Sequence, residues 1–163
     1  LQLCKLYGAH VVGTGRQQAK LDRAKALGLE NAVLVKDGKF AKQVGAVDIV
    51  LDLVGGDWVP ESLEAMAPHG TLMLVGLVAG VTADVPLRKI LTKKLRVIGT
   101  TMRSRALEEK ITVARAFEDK LVPHFARGAL KPVVDAVMPM QDIAAALQRL
   151  ATNDSFGKLV LTW

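Results

Sequence analysis

The sequence predicts an α/β protein built on a doubly wound parallel sheet, followed by a shorter strand–helix–strand segment. Short apolar runs alternate with amphipathic stretches from the start of the chain to Met102, which is the pattern of successive β-α-β units. The run over residues 47–53 is nearly all apolar, as expected for a strand that helices cover on both faces. A length of 163 residues is sufficient for one domain with a sizeable core.

Glycine and proline set the limits of the elements in the first part of the chain. Gly8 and Gly28 are typical helix-stop residues. Gly55-Gly56 interrupt the apolar strand, and Pro60 suits the first turn of the next helix. The predicted order is helix 1–8, strand 10–14, a helix ending at 28, strand 31–35, helix 37–44, strand 47–53, helix 60–67, strand 70–77, a short basic segment and strand 95–102.

The remainder of the chain is organised differently. Apolar residues at helical spacing from Leu107 to Phe125 predict one long helix with an apolar stripe, kinked near Pro123. A strand over residues 133–138, an amphipathic helix and a last strand over residues 158–162 follow. We place a boundary at Lys131-Pro132, which divides the chain into residues 1–131 and residues 132–163.

Composition limits the partners. The net charge of +6 permits a nucleic acid, but only 4% of the residues are aromatic, so little is available to stack on bases. An anionic small molecule suits this charge equally well. The longest apolar stretch, residues 71–81, contains Gly76 and Gly80 and is too short to span a membrane. We therefore predict neither a nucleic acid nor a membrane as a partner.

Cysteine and histidine are scarce. A single cysteine, Cys4, excludes an internal disulfide and favours the reducing cytoplasm. Its apolar neighbours on a helix favour packing in the core over a role as a nucleophile. The three histidines are scattered without the spacing of metal ligands, so no metal site is predicted.

The exit of the first strand is the most informative position, because ligands of doubly wound sheets bind beyond the carboxyl ends of the strands. A fold that selects NAD normally has an acidic residue there, to accept the ribose hydroxyls. This chain has Thr14, Gly15 and Arg16, with Lys20 one turn into the next helix. Two cations beside hydroxyl and amide donors suit a 2′-phosphate and therefore NADPH, although solvated surface charges are the simpler interpretation of the residue types alone.

No residue is predicted to act as a catalytic acid, base or nucleophile. Asp52 lies near the exit of an apolar strand, where it could serve catalysis or accept hydrogen bonds from the amides of the next loop. The structural use is favoured, since no second group completes an acid–base pair. His69 precedes a glycine in a turn and is expected to be exposed, and the paired lysines and arginines of residues 88–94 are expected on a solvated helical face.

Four segments in order resemble the carboxyl-terminal half of a medium-chain dehydrogenase/reductase of the NADPH:quinone oxidoreductase branch. They are residues 8–16 (GAHVVGTGR), 47–56 (VDIVLDLVGG), 95–105 (LRVIGTTMRSR) and 156–161 (FGKLVL). The stretch TTMRSR most resembles the tumour-suppressor-inducible quinone oxidoreductase type. The resemblance implies a Rossmann-like domain that lacks the first strand and the glycine-rich turn, so we expect the chain to begin inside a longer protein.

The resemblance also implies a cofactor site. By analogy with the family, the adenosine and nicotinamide groups would be lined by Gly55, Gly76, Leu77, Thr100, Thr101 and Met102, and Lys158 would face the pyrophosphate. Val35 stands where the family often has a phosphate-binding tyrosine. Residues from about Pro132 onward would return to a catalytic domain. The implied activity is hydride transfer from NADPH to a quinone or enone, with the chain inactive by itself.

Two other functions stay open. One is a methyltransferase-like Rossmann domain that binds S-adenosylmethionine; Arg16 and Lys20 argue against it, because such a fold needs a carboxylate for the ribose. The other is a non-catalytic nucleotide-binding module. Strand 95–101 is apolar and follows the last crossover, so we expect it at a sheet edge and predict that it forms a homodimer.

Overall fold

The computed structural model describes residues 1–153 and 155–163. Contacts divide these residues into two compact units, residues 3–114 with Leu1 and residues 115–163 with Gln2. The helices are α1 (Gln2–Leu6), α2 (Gln18–Lys25), α3 (Ala41–Val44), α4 (Trp58–Ala65), α5 (Leu87–Lys93), α6 (Leu107–Ala126) and α7 (Ile143–Ala151). The strands are β1 (Val12–Gly15), β2 (Asn31–Leu34), β3 (Val47–Asp52), β4 (Met66–Leu74), β5 (Arg96–Gly99), β6 (Val134–Pro139) and β7 (Lys158–Thr162).

Every strand pair is parallel, which confirms the predicted α/β class. The strands of the described residues nevertheless form separate sheets, β1-β2, β3-β4-β5 and β6-β7, rather than one continuous sheet. In a doubly wound sheet the strands lie side by side in the order 3-2-1-4-5-6. The interruption is explained if β1 to β5 correspond to strands 2 to 6 of that order. Its first strand would then stand between β1 and β3, and that is where the pairing is interrupted.

The observed bounds of two elements differ from the predicted ones. The helix expected over residues 37–44 covers only Ala41–Val44, because Asp37 accepts a hydrogen bond from the backbone N–H of Lys39 (3.1 Å) and Gly38 has a φ of 80°. These residues form a turn instead. The strand expected at 70–77 is Met66–Leu74, with an irregular register near its start.

One face of the three-stranded sheet carries the core of the first unit. Leu63 of α4 packs with Met66 and Leu72 of β4, and all three side chains are completely or almost completely buried. The opposite face is open: Ile49 and Leu51 of β3 are 73% and 65% exposed. The expectation that helices cover β3 on both faces is therefore wrong for the described residues.

Glu61 ties α4 to the start of α3. Its carboxylate accepts hydrogen bonds from the backbone N–H groups of Phe40 (2.9 Å) and Ala41 (3.0 Å), and Lys39 lies 3.1 Å away. Burial would raise the pKa of Glu61, but the two N–H donors and the lysine outweigh it and lower that pKa. Beside this contact the rings of Phe40 and Trp58 pack with their centroids 5.0 Å apart.

The second unit contains the parallel pair β6-β7 and the helix α7. Arg149 of α7 forms an ion pair with Asp135 of β6 at 2.6 Å. The last strand begins and ends as predicted. The long helix α6 also forms as predicted, with Pro123 inside it, but none of its residues is buried, so its apolar stripe is not part of a core in this structure. The units divide within α6, and the boundary at Lys131-Pro132 stays a prediction.

The Glu61 contact yields a test of stability. We expect Glu61→Ala to lower the free energy of unfolding by about 2 kcal/mol, since hydrogen bonds to a charged group contribute roughly 1.5–3 kcal/mol. Because the folded-state pKa is lowered, this contribution is present above the unfolded pKa and is lost as the pH falls through the folded pKa. Urea unfolding at neutral and acidic pH measures both effects.

Glu64 provides the matched control for that experiment. It lies one turn further along α4 and pairs with Lys89 at 2.7 Å on an exposed surface. An exposed ion pair contributes less than about 1 kcal/mol, so Glu64→Ala should change stability little. Equal losses for the two variants would contradict the special role of Glu61.

Candidate functional site

The carboxyl ends of β3 and β4 are joined at Asp52. Its carbonyl oxygen accepts hydrogen bonds from the N–H groups of Val75 (2.8 Å) and Gly76 (3.3 Å). Its Oδ1 accepts from the N–H groups of Val54 (2.7 Å) and Gly55 (2.9 Å). The carboxylate therefore serves the next loop, as the favoured interpretation of the sequence expected.

Close approach of two loops explains the glycines at this edge. Gly55 has a φ of 70°, and a Cβ there would lie 2.8 Å from Cδ2 of Leu77 and 3.0 Å from the carbonyl oxygen of Gly80. A Cβ on Gly76 would collide with the carbonyl oxygen of Leu53. Glycine is required at both positions by packing within the protein itself.

The exit of β5 lies beside that of β4. The N–H of Thr100 donates to the carbonyl oxygen of Leu74 at 3.0 Å, which continues the pairing beyond the strand. Arg105 then fixes the loop, because its guanidinium donates to Oγ1 of Thr100 (3.0 Å) and to the carbonyl oxygen of Thr101 (3.1 Å). Thr101 and Met102 are exposed.

The exit of β1 is polar and cationic. The carbonyl oxygen of Gly15 accepts a hydrogen bond from the N–H of Val35 at 2.8 Å, which places Val35 beside the exit. The side chain of Val35 is buried and has no hydroxyl group that could contact a phosphate. Thr14 is partly buried and Arg16 is exposed, and no residue of the described part of the chain pairs with the Arg16 guanidinium. Lys20 lies in the first turn of α2, partly buried and with interactions of its own.

The structure thus divides the predicted site residues into three groups. Those from the exits of β3, β4 and β5 share one sheet edge, and Gly55 directly faces Leu77. Those from the exit of β1 belong to the two-stranded sheet of the same unit. Lys158 begins β7 in the second unit. Arg105 was missed by the sequence reasoning, although an arginine five residues after the strand-exit Thr100 could have been weighed as its partner.

The remaining candidates have ordinary environments. His69 is exposed, as expected, but it lies within the irregular first part of β4 rather than in a turn, with a φ of 66°. Cys4 is exposed, so the expectation that it packs in the core is wrong; no residue of the short helix α1 is buried. Lys93 donates to the carbonyl oxygens of Glu64 and Met66, both at 2.7 Å, at the end of α4. This lysine therefore has a structural use.

The described residues lack both a cluster of metal-binding side chains and a helix suited to crossing a membrane. No group of three or more histidine, cysteine or acidic side chains within residues 1–153 and 155–163 is arranged to hold a metal ion. Over the same residues, no helix has both the length and the apolar character that crossing a membrane requires.

The family model of the zinc-binding dehydrogenases matches residues 1–118. Among curated proteins, quinone oxidoreductase-like protein 2 of Bos taurus is 24% identical over 160 residues, which cover 94% of this chain and 46% of that protein. The chain spans about half the length of the curated relatives it matches.

Solved structures of quinone oxidoreductases are also similar to this chain. The quinone oxidoreductase of Thermus thermophilus, solved also in complex with NADPH, superposes with a TM-score of 0.83 at 30% identity, covering 99% of this chain and 52% of that one. The quinone oxidoreductase of Pseudomonas syringae pv. Tomato superposes with a TM-score of 0.79 at 27% identity, covering 99% and 51%.

The packing at Gly55 can be tested with three alanine substitutions. Gly55→Ala combines a positive φ with a steric clash, Gly45→Ala meets a φ of 75° but open space, and Gly99→Ala meets neither. We expect Gly99→Ala to be neutral and Gly45→Ala, at a φ of 75° and a ψ of −160°, to cost roughly 1–3 kcal/mol of unfolding free energy. Gly55→Ala should cost clearly more, as measured by thermal or urea unfolding.

If Gly55→Ala costs no more than Gly45→Ala, the loop of residues 77–80 does not press against Gly55. The explanation given for that glycine would then be wrong.

Proposed function

We propose that this chain, which belongs to the zinc-binding dehydrogenase family, is the cofactor-binding half of an NADPH-dependent oxidoreductase that transfers hydride to a quinone or an enone. The family match supports a dehydrogenase, and the relatives of the quinone oxidoreductase type support the substrate class. A nicotinamide dinucleotide is the cofactor class that these similarities support; the choice of NADPH comes from the residues of this chain. A cytoplasmic location is part of the proposal, supported by the single cysteine.

Arg16 is the observation on which the choice of NADPH depends. Its guanidinium is exposed directly after β1, unpaired within the described residues, at the position where a fold selective for NAD needs a carboxylate. The helix that follows begins without a side-chain cap, and its first turn contains Lys20 and no acidic residue. The positive end of the α2 dipole favours an anion beside the exposed Arg16 guanidinium. A 2′-phosphate is an anion of suitable charge and shape.

The edge formed by β3, β4 and β5 is the proposed place of the remaining groups of the cofactor. Its loops are held by backbone hydrogen bonds and by Arg105, and its glycines let the loops that leave β3 and β4 pack closely against each other. The predicted lining residues there are Gly55, Gly76, Leu77, Thr100, Thr101 and Met102. Lys158 as the cation facing the pyrophosphate stays a prediction from family resemblance.

The residues of this chain would bind and orient the nicotinamide, which would supply the hydride when bound. Leu77 and Met102, both exposed, offer apolar surface that would exclude water from a flat ring. The described residues hold no acid–base pair at these loops. They also provide no cluster of zinc ligands.

Arg16→Ala tests the choice of cofactor. In the full-length protein we expect the ratio of kcat/KM for NADPH to that for NADH to fall about tenfold or more, since one charge-assisted contact contributes roughly 1.5–3 kcal/mol. The control is Arg88→Ala, which removes an exposed arginine from α5. A cofactor ratio unchanged by Arg16→Ala, or changed equally by both substitutions, would exclude the phosphate contact.

We also propose that strand 95–101 forms a homodimer. β5 is an edge strand, and its exposed residues include Val97 and Ile98. Because the Thr100 N–H donates to Leu74, alternation along the strand directs the N–H groups of Val97 and Gly99 away from β4. These outward groups could pair with the same strand of a second copy across a two-fold axis.

Val97→Pro tests this dimer, because proline removes an outward N–H and leaves the donors to β4 in place. We expect light scattering of the full-length protein to give a dimer for the wild type and for Val97→Thr, which keeps the N–H. Val97→Pro should give a monomer with an unchanged far-UV spectrum. A wild-type monomer, or a dimer that tolerates the proline, would exclude this edge as the interface.

A further inference from the structure

We propose that Asp52 is a positioning residue, which sets the place of Leu77 and Ala79 relative to the glycine turn at the exit of β3. The inference rests on the proposed function insofar as this edge receives the cofactor. Its structural part, the coupling between two loops, is independent of what binds there.

The Asp52 side chain is a buried acceptor with a defined task. The residue is only 5% exposed, and its Oδ1 holds the N–H groups of Val54 and Gly55 at 2.7 and 2.9 Å. Its Oδ2 is also buried and has no hydrogen-bond partner among the described residues. Oδ1 therefore accepts both hydrogen bonds of the side chain, and no cationic side chain among the described residues pairs with the carboxylate.

The turn that Asp52 holds supports the next loop. The carbonyl oxygen of Val54 accepts from the N–H of Ala79 at 2.8 Å, and Gly55 forms a parallel bridge with Gly80. Gly55 also lies against Leu77, with no space for a side chain between them. The position of Leu77 and Ala79 thus depends on the turn of residues 53–56, and that turn depends on Oδ1 of Asp52.

The main chain of Asp52 adds a second constraint on the same loop. Its carbonyl oxygen accepts from Val75 and Gly76, where the loop leaves β4. The loop of residues 75–80 is therefore held at its start by the backbone of Asp52 and at its far end by the turn that the Asp52 side chain fixes. Removing the side chain should release the far end and leave the start in place.

Asp52→Asn and Asp52→Ala separate acceptor geometry from charge. Asparagine keeps an oxygen at the Oδ1 position, and its NH₂ group would occupy the Oδ2 position, where no described donor opposes it. Alanine removes the acceptor. Asp48→Ala is the matched control, since Asp48 lies on the same strand and is exposed.

Amide hydrogen exchange of the full-length protein is the first measurement, and it does not require a cofactor. We expect Asp52→Ala to speed exchange about tenfold or more at Val54 and Gly55 and also at Ala79, which makes no bond to Asp52 itself. Val75 should change less, and Asp52→Asn and Asp48→Ala should resemble the wild type. Faster exchange at Val54 and Gly55 with Ala79 unchanged would mean a purely local turn and would overturn the proposal.

Steady-state kinetics of the full-length protein is the second measurement. We expect Asp52→Ala to raise KM for NADPH about tenfold with a smaller change in kcat, and Asp52→Asn to restore most of the affinity. If Asp52→Ala does not fold, Asp52→Glu, which displaces the carboxylate by one methylene group, should raise KM in the same direction. An asparagine variant as impaired as the alanine variant would show that the charge matters, and the positioning role would be wrong.

The two measurements distinguish the two proposals. If the full-length protein uses no nicotinamide dinucleotide, the proposed function fails, while the exchange pattern still decides the role of Asp52. If Arg16→Ala alters cofactor preference but the exchange at Ala79 is independent of Asp52, the function stands and this inference fails.

Discussion

Parallel pairing of β3, β4 and β5 brings three carboxyl ends to one sheet edge, and the residues proposed to meet the nicotinamide side of the cofactor lie on the loops that leave it. That pairing is held on one side by the cluster of Leu63, Met66 and Leu72. At the edge itself, backbone N–H and carbonyl groups do most of the joining, from Asp52 to Gly76 and from Thr100 to Leu74. The site is thus defined by main-chain geometry, with side chains supplying few of its contacts.

The sequence predicted much of this arrangement, because its signals were local. Glycines marked where elements end, and the apolar run of residues 47–53 predicted the strand β3. The last strand, β7, begins and ends where expected. The resemblance to the quinone oxidoreductase branch of the medium-chain dehydrogenases/reductases is confirmed, since four short segments in fixed order are more specific than any one alone. The structural use of Asp52 was favoured because no second group completes an acid–base pair, and its hydrogen bonds to Val54 and Gly55 agree with it.

The errors concern interactions that local patterns do not contain. The apolar residues Ile49 and Leu51 were expected between two layers, and in this structure only the opposite face of their sheet is covered. Cys4 was expected in a core because its neighbours are apolar, yet a helix of five residues buried none of them. Arg105 was overlooked because its hydrogen bond to Thr100, five residues earlier, forms only when the loop folds back on itself, and the sequence does not show that.

The uncovered face of β3 has a practical consequence for anyone who produces this segment alone. Ile49, Leu51 and Leu53 present contiguous apolar surface to water, beside a strand edge with unpaired main-chain groups. Such a surface recruits chaperones, hydrophobic dyes and other copies of itself. Low yield, inclusion bodies and dye binding should therefore be interpreted as properties of this face, and they carry no information about the affinity of the cofactor site.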